Sequence, residues 1–206
     1  MSNADDNELI ELKTVLVGDS GVGKTNLINV CVGKSFSTKI APTNCSSLFQ
    51  KRLNVNHYDF LINLWDTMGQ EVYKGLSKLF FRGAHIVIFV YDITVEESFN
   101  HLEEWIQMAN ETIGGEYIAG IVGNKNDLYL EAKVAEEKAV AYAKNKNMKF
   151  KLVSAKEDPN SFNDILIELI KEHKVPENRK KTVLNNKPEK KKILLLRIFY
   201  VYHKNS

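Results

Sequence analysis

The sequence predicts an α/β fold: a mostly parallel six-stranded sheet with one antiparallel strand and helices on both faces. Three observations carry this prediction. Apolar runs of strand length alternate with segments of helical period along the chain. The first such run, 12–17, passes straight into a glycine-rich turn, Gly18-Asp19-Ser20-Gly21-Val22-Gly23-Lys24-Thr25, with helix-like sequence behind it. One pair of runs, Ser47–Val55 and 60–65, is separated only by the polar Asn56-His57-Tyr58-Asp59, long enough for a hairpin but not for the crossover that parallel strands require.

Taken in order, residues 12–17 form the first strand, and Asn26-Leu27-Ile28-Asn29-Val30 reads as helix after the turn. The hairpin supplies strands two and three; 86–91, 118–122 and 149–153 supply the fourth, fifth and sixth. Between and after these, apolar residues repeat at three and four: Phe99, Leu102, Trp105, Ile106 and Ala109; then Ala135, Ala139, Tyr142 and Ala143; then Phe162, Ile165, Leu166, Leu169 and Ile170. Each stripe reads as core, and Trp105, Tyr142 and Phe162 are given no functional role. The expected organisation is an acidic extension over 1–8, one globular domain over 9–174, ending just before Pro176, and a basic and apolar tail over 175–206.

Composition narrows the class. At 206 residues, 44% hydrophobic and 26% charged, the chain can bury one core and falls outside disordered and membrane-spanning compositions. A net charge of +2 is too small to argue for a nucleic-acid partner. Cys31 and Cys45 stand outside any Cys/His cluster, and the first eight residues lack the basic start and apolar core of a secretory signal, so a cytosolic protein with reduced thiols and no structural zinc is expected.

The turn carries the chemistry. Gly18 to Thr25 fits G-x-x-x-x-G-K-[ST], in which glycines let main-chain N–H groups of Ser20, Gly21, Val22, Gly23 and the helix start at Asn26 point at an anion. Lys24 reaches the outer phosphates and the Thr25 hydroxyl holds Mg²⁺, so a nucleoside triphosphate is the expected ligand. The plain alternative, a ligand-free strand-to-helix turn, is disfavoured by the strand before it and the helix after it.

Further segments follow in register: Trp65-Asp66-Thr67-Met68-Gly69-Gln70-Glu71, Asn124-Lys125-Asn126-Asp127 and Ser154-Ala155-Lys156, with Thr43 eighteen positions after Thr25. Together with the glycine-rich turn they resemble the small GTPases of the Ras superfamily. Phe80-Phe81-Arg82-Gly83-Ala84, Val90-Tyr91-Asp92-Ile93-Thr94 and Glu97-Ser98-Phe99 read like Rab sequence rather than Ras or Rho. The resemblance implies a P-loop NTPase fold, the G domain, covering Glu11 to about Glu172, and GTP or GDP as the bound nucleotide.

The site residues follow from that likeness, each with its own physical reason. The Asp127 carboxylate accepts the two N–H donors of guanine, which adenine lacks; an unpaired buried acceptor costs about 1–3 kcal/mol, and more when charged. Asn124 braces the loop, the stem of Lys125 lies over the base, and the Ala155 N–H meets the guanine oxygen, supported by Ser154 and Lys156. Phe36 either packs on the base or closes the core. Thr25 and Thr43 are implied as direct Mg²⁺ ligands, with Asp66 acting through water. Gln70 orients the attacking water and the Gly69 N–H bonds the γ-phosphate, so loss of that phosphate frees the Gly69 and Thr43 contacts together. No arginine is placed to act within the chain, which implies slow turnover and an activating protein whose arginine is worth about 10³ to 10⁵ in rate. An exchange factor and effectors are the other partners implied.

Three departures qualify the likeness. Met68 stands where the family usually has alanine, beside Gly69 and Gln70. Asn44-Cys45-Ser46-Ser47-Leu48 replaces the usual apolar, glycine and aromatic pattern after the first-switch threonine. The tail has no cysteine for a prenyl group, but carries Lys190-Lys191-Lys192 followed by an apolar run, 193–202, of about 15 Å as a helix, half the thickness of a bilayer core. That tail has two readings: peripheral membrane or partner contact, and docking on the protein's own surface or no function. For the domain, a GTP-hydrolysing switch in vesicle trafficking is favoured, with a guanine-nucleotide-binding scaffold of little turnover as the alternative.

Overall fold

The structure is a computed structural model in which residues 9–41, 43, 46–67 and 79–175 are described. The chain runs β1 (Leu9–Val17), α1 (Lys24–Cys31), β2 (Ser47–Val55), β3 (Tyr58–Asp66), β4 (Ile86–Asp92), α2 (Glu96–Asn100), α3 (Leu102–Ile113) and β5 (Ile118–Asn124). A 3₁₀ segment (Asn126–Glu131), α4 (Glu136–Asn145), β6 (Lys149–Leu152) and α5 (Ser161–Lys171) complete it. The six strands lie in the order β2-β3-β1-β4-β5-β6. Every neighbouring pair is parallel except β2 with β3.

Alternation along the strands builds two cores. On one face Ile10, Leu12 and Leu16 of β1 and Ile86, Ile88 and Val90 of β4 meet Leu27 and Ile28 of α1 and Phe162, Ile165, Leu166 and Leu169 of α5. On the other, Val15 and Val17 with Val87, Phe89 and Tyr91 meet Phe99, Leu102, Trp105 and Ile106, then Ala139 and Ala143. Successive strand residues point to opposite faces, so a strand covered on both sides must be apolar throughout, and all seven residues of β4 are buried. The close approach of α5 needs Gly120, where a Cβ would lie 3.0 Å from a Leu169 methyl. Edge strand β2 alternates between exposed and half-buried residues and ends in buried Val55.

Three expectations are corrected. Strand β1 starts at Leu9, not residue 12, because 9–11 pair with Asp59, Phe60 and Leu61 of β3. The hairpin connection is two residues, not four: Tyr58 and Asp59 pair with Val55 and Asn54. Asn56 (φ 51°) and His57 (φ 69°) take the left-handed conformation that lets so tight a turn match the twist of its strands. The 99–109 stripe spans two helices, α2 and α3, which meet at His101. Among the described residues, no helix is long and apolar enough to cross a membrane.

Candidate functional site

The described parts of the nucleotide motifs, 18–25, 65–67, 124–127 and 154–156, emerge at the carboxyl ends of β1, β3, β5 and β6, around β1, where the strand order reverses. In an open α/β sheet that is where a ligand crevice forms. The turn after β1 is forced into its path by its glycines. Gly23 has φ 99°, and a Cβ there would stand 2.2 Å from Asn124 Nδ2; at Gly18 a Cβ would lie 2.0 Å from the Val90 carbonyl oxygen. Helix α1 begins immediately after, and its N-terminus takes no side-chain cap, leaving its first N–H groups for an anion.

Lys24 is 5% exposed and donates to the carbonyls of Gly18 and Asp19, each at 2.7 Å. Burial pushes its ammonium down to about 8, against the pull of the Asp66 and Asp19 carboxylates. The Thr25 and Thr43 hydroxyls lie 3.0 Å apart. Asp66, at the end of β3, is buried, and its Oδ1 has no hydrogen-bond partner among the described residues. Burial raises its carboxyl, opposed by a bond to Thr25 and the charge of Lys24. Two hydroxyls and a buried, unsatisfied carboxylate oxygen form a hard-oxygen set that suits Mg²⁺.

At the other end, Asn124 spans two loops. Its Nδ2 donates to the Val22 carbonyl at 2.8 Å, and its Oδ1 accepts from the Ala155 N–H at 3.5 Å. Lys125 has φ 66°, and its ammonium is tied to Asp92 at 2.6 Å, which lays its stem along the pocket wall. The Asp127 carboxylate accepts the Ser154 hydroxyl at 2.6 Å and has Lys156 Nζ 3.9 Å away. One cavity of about 490 Å³ joins the two ends, lined by Lys24 and Thr25 at one and Asp127, Ala155 and Lys156 at the other.

Most sequence-predicted site residues meet here, with differences in how they contribute. Ser20, Gly21, Gly23 and Thr43 line the cavity. Val22 turns its side chain into the core, while its main chain stays in the loop. Ser154 stands behind Asp127 rather than on the wall. Asn26 lines the cavity and also clamps the following loop, its amide bonding the Ser37 carbonyl at 2.9 Å and the Ser37 N–H at 3.2 Å. Phe36 packs against the core and also lines the cavity. Met68, Gly69 and Gln70 lie outside the described residues.

Sequence reasoning missed some supports. Thr67 lines the cavity and donates to the Leu16 carbonyl at 2.6 Å. Trp105, read only as core, also donates its indole N–H to Asp19 Oδ1 at 3.0 Å, and His101 Nδ1 lies 2.6 Å from Asp19 Oδ2. The i, i+4 spacing of His101 and Trp105 was visible as a shared helix face, but not what that face would meet.

A mostly parallel sheet with a glycine-rich strand-to-helix loop at its switch point and a cavity beside it defines a P-loop nucleotide-binding domain. Known proteins agree. The sequence model of the Ras family matches residues 13–175. Ras-related protein Rab-21 of Geodia cydonium is 36% identical over 148 residues, 72% of this chain and 65% of that protein. Rab-17 of Mus musculus is 37% identical over 145 residues, 70% of this chain and 67% of that protein. Rab-22A of Homo sapiens is 36% identical over 161 residues, 78% of this chain and 82% of that protein. The chain thus spans about two thirds of the length of the first two and more of the third. It belongs to the Ras family and is a Rab-like small GTPase.

Proposed function

We propose that this chain is a nucleotide-state switch in vesicle trafficking, binding GTP and GDP with Mg²⁺ and hydrolysing GTP to GDP and phosphate. The observation that carries the reading is the single cavity that joins Lys24 to Asp127: a cation and main-chain amides at one end, a carboxylate shaped for two N–H donors at the other. The amides of 20–26 and Lys24 hold the phosphates, while Asp127, Asn124, Lys125, Ala155 and Lys156 select guanine, with Phe36 at the base edge. Thr25, Thr43 and Asp66 would hold Mg²⁺, which when bound offsets charge on the β- and γ-phosphates. Gln70 orients water for attack on the γ-phosphate, and the Gly69 N–H joins Thr43 in sensing that phosphate. Slow unaided turnover and an activating protein that supplies an arginine belong to the same reading. Exchange factor and effectors complete the cycle, in the cytosol and at endomembranes, with residues 175–206 as the peripheral membrane contact.

The test begins with the nucleotide released when the purified protein is denatured, followed by single-turnover phosphate release. Bound GDP or GTP, with release abolished in Gln70→Leu, is expected. Protein that emerges empty and shows no preference for guanine over adenine nucleotides would refute the reading. Met68 favours a second reading, a binding scaffold with little turnover, because a long side chain adjoins the Gly69 and Gln70 main chain that approaches the γ-phosphate. Bound guanine nucleotide without phosphate release would select it. Liposome flotation with and without residues 187–206 tests the tail, and equal recovery removes the membrane contact.

A further inference from the structure

Asp19 is the phosphate-loop residue whose side chain is tied to the junction of α2 and α3. Its two carboxylate oxygens point away from the pocket and meet separate donors on one helix face: Oδ2 lies 2.6 Å from His101 Nδ1, and Oδ1 accepts the Trp105 indole N–H at 3.0 Å. His101 sits at the junction of α2 and α3, and its carbonyl accepts the Trp105 N–H at 3.3 Å, so the two donors are set one turn apart by the helix itself. The contact is shielded: the Asp19 side chain is 15% exposed and that of His101 36%. The main chain of the same residue faces the site, because the Asp19 carbonyl accepts Lys24 Nζ at 2.7 Å. Asp19 therefore links the α2–α3 junction to the lysine that meets phosphate, through two bonds to a carboxylate, the stronger kind of hydrogen bond.

We propose that His101 and Trp105 are positioning residues of the phosphate loop: by fixing the Asp19 carboxylate they set the loop path that holds Lys24, and so the rate at which bound nucleotide leaves. The inference rests on the guanine-nucleotide reading of the pocket. Loss of the His101 bond leaves one oxygen to water and allows the Gly18–Asp19 peptide to rotate. The effect is transmitted through Asp19, so His101 has no influence once that carboxylate is gone.

The experiment measures release of a fluorescent GDP analogue from the full chain in Mg²⁺, for wild type, His101→Ala, His101→Asn, Asp19→Ala and the double variant His101→Ala/Asp19→Ala. His101→Ala is expected to speed release about tenfold, the consequence of losing roughly one charge-assisted hydrogen bond. His101→Asn, whose amide again supplies an N–H, restores most of the slow rate. In the Asp19→Ala background, His101→Ala adds nothing, the signature of two residues acting as one unit. Unchanged release in His101→Ala, or an equal acceleration in the Asp19→Ala background, overturns the proposal. Should the alanine variants fold poorly, Trp65→Phe leaves Trp105 as the only tryptophan of the two in the chain, with the Asp19 contact intact. Its emission is then expected to shift when nucleotide is stripped, and constant emission likewise overturns the proposal. A wild-type chain that holds no guanine nucleotide is a different failure, which removes the functional reading itself.

Discussion

At Lys24 a single buried ammonium is expected to give nucleotide binding its pH dependence, on the proposed reading of the site. Burial lowers this group from 10.5 to about 8 in the free chain, whereas phosphate oxygens beside it favour the charged form. Above pH 8, binding must take up a proton, so affinity for GDP is constant below that value and falls as pH rises through it, approaching about tenfold per pH unit. Calorimetric titration from pH 7 to 9.5 reads this directly, and Lys24→Met abolishes the slope along with most of the affinity. The effect on stability runs the other way. Between about 8 and 10.5 the unfolded chain holds a proton that the folded chain lacks, so the penalty for burying charged Lys24 fades as pH rises across that window. At the far end of the pocket, Asp127→Ala is expected to weaken GTP by about 10- to 100-fold, the worth of hydrogen bonds to a charged acceptor, and to leave ATP binding unchanged in a displacement assay. That Lys24, Thr25 and Asp127 would face one cavity was legible in the sequence because motif spacing fixes which residues a loop presents. The Asp19–Trp105 bond joins residues 86 positions apart, and no local pattern announces it.

Among the elements, the β2–β3 hairpin offers the cleanest test. His57 adopts φ 69°, a conformation that favours glycine. His57→Gly produces the Asn-Gly pair typical of two-residue hairpins and is expected to stabilise the protein by about 0.5–1 kcal/mol in urea denaturation, with an unchanged m-value. The sequence placed this hairpin but made its loop two residues too long, because Tyr58 and Asp59 are polar at the surface while their main chain still continues the ladder to β2. Strand β1 was read three residues short for a related reason: polar Glu11 interrupts the apolar run, and pairing with β3, not side-chain character, extends the strand. The split of the 99–109 stripe at His101 was likewise hidden, since both helices bury the same face and the periodicity runs on across their junction.

Across the whole molecule, stability and ligand binding are linked through a sheet covered on both sides. Leu166 of α5 is fully buried against one face, and Leu166→Ala is expected to cost about 2–5 kcal/mol. Mg²⁺ with GDP at a hundredfold excess over its dissociation constant returns about 2.7 kcal/mol, so the melting temperature of the variant rises with GDP and stays flat with ADP. Thermal scans with each nucleotide test both statements together. The sequence by itself determined the sheet class and the helix faces and picked out the loops proposed to meet phosphate and guanine, because strand and helix periods and motif spacings are local properties of the chain. Only the tertiary structure decided which side chains stand behind those loops: Asn124 bridging to Val22, Asp92 holding Lys125, His101 and Trp105 holding Asp19. Those bonds exist because strand order brings distant strand ends to one crevice, and proximity of that kind is a property of the packed sheet rather than of any segment within it.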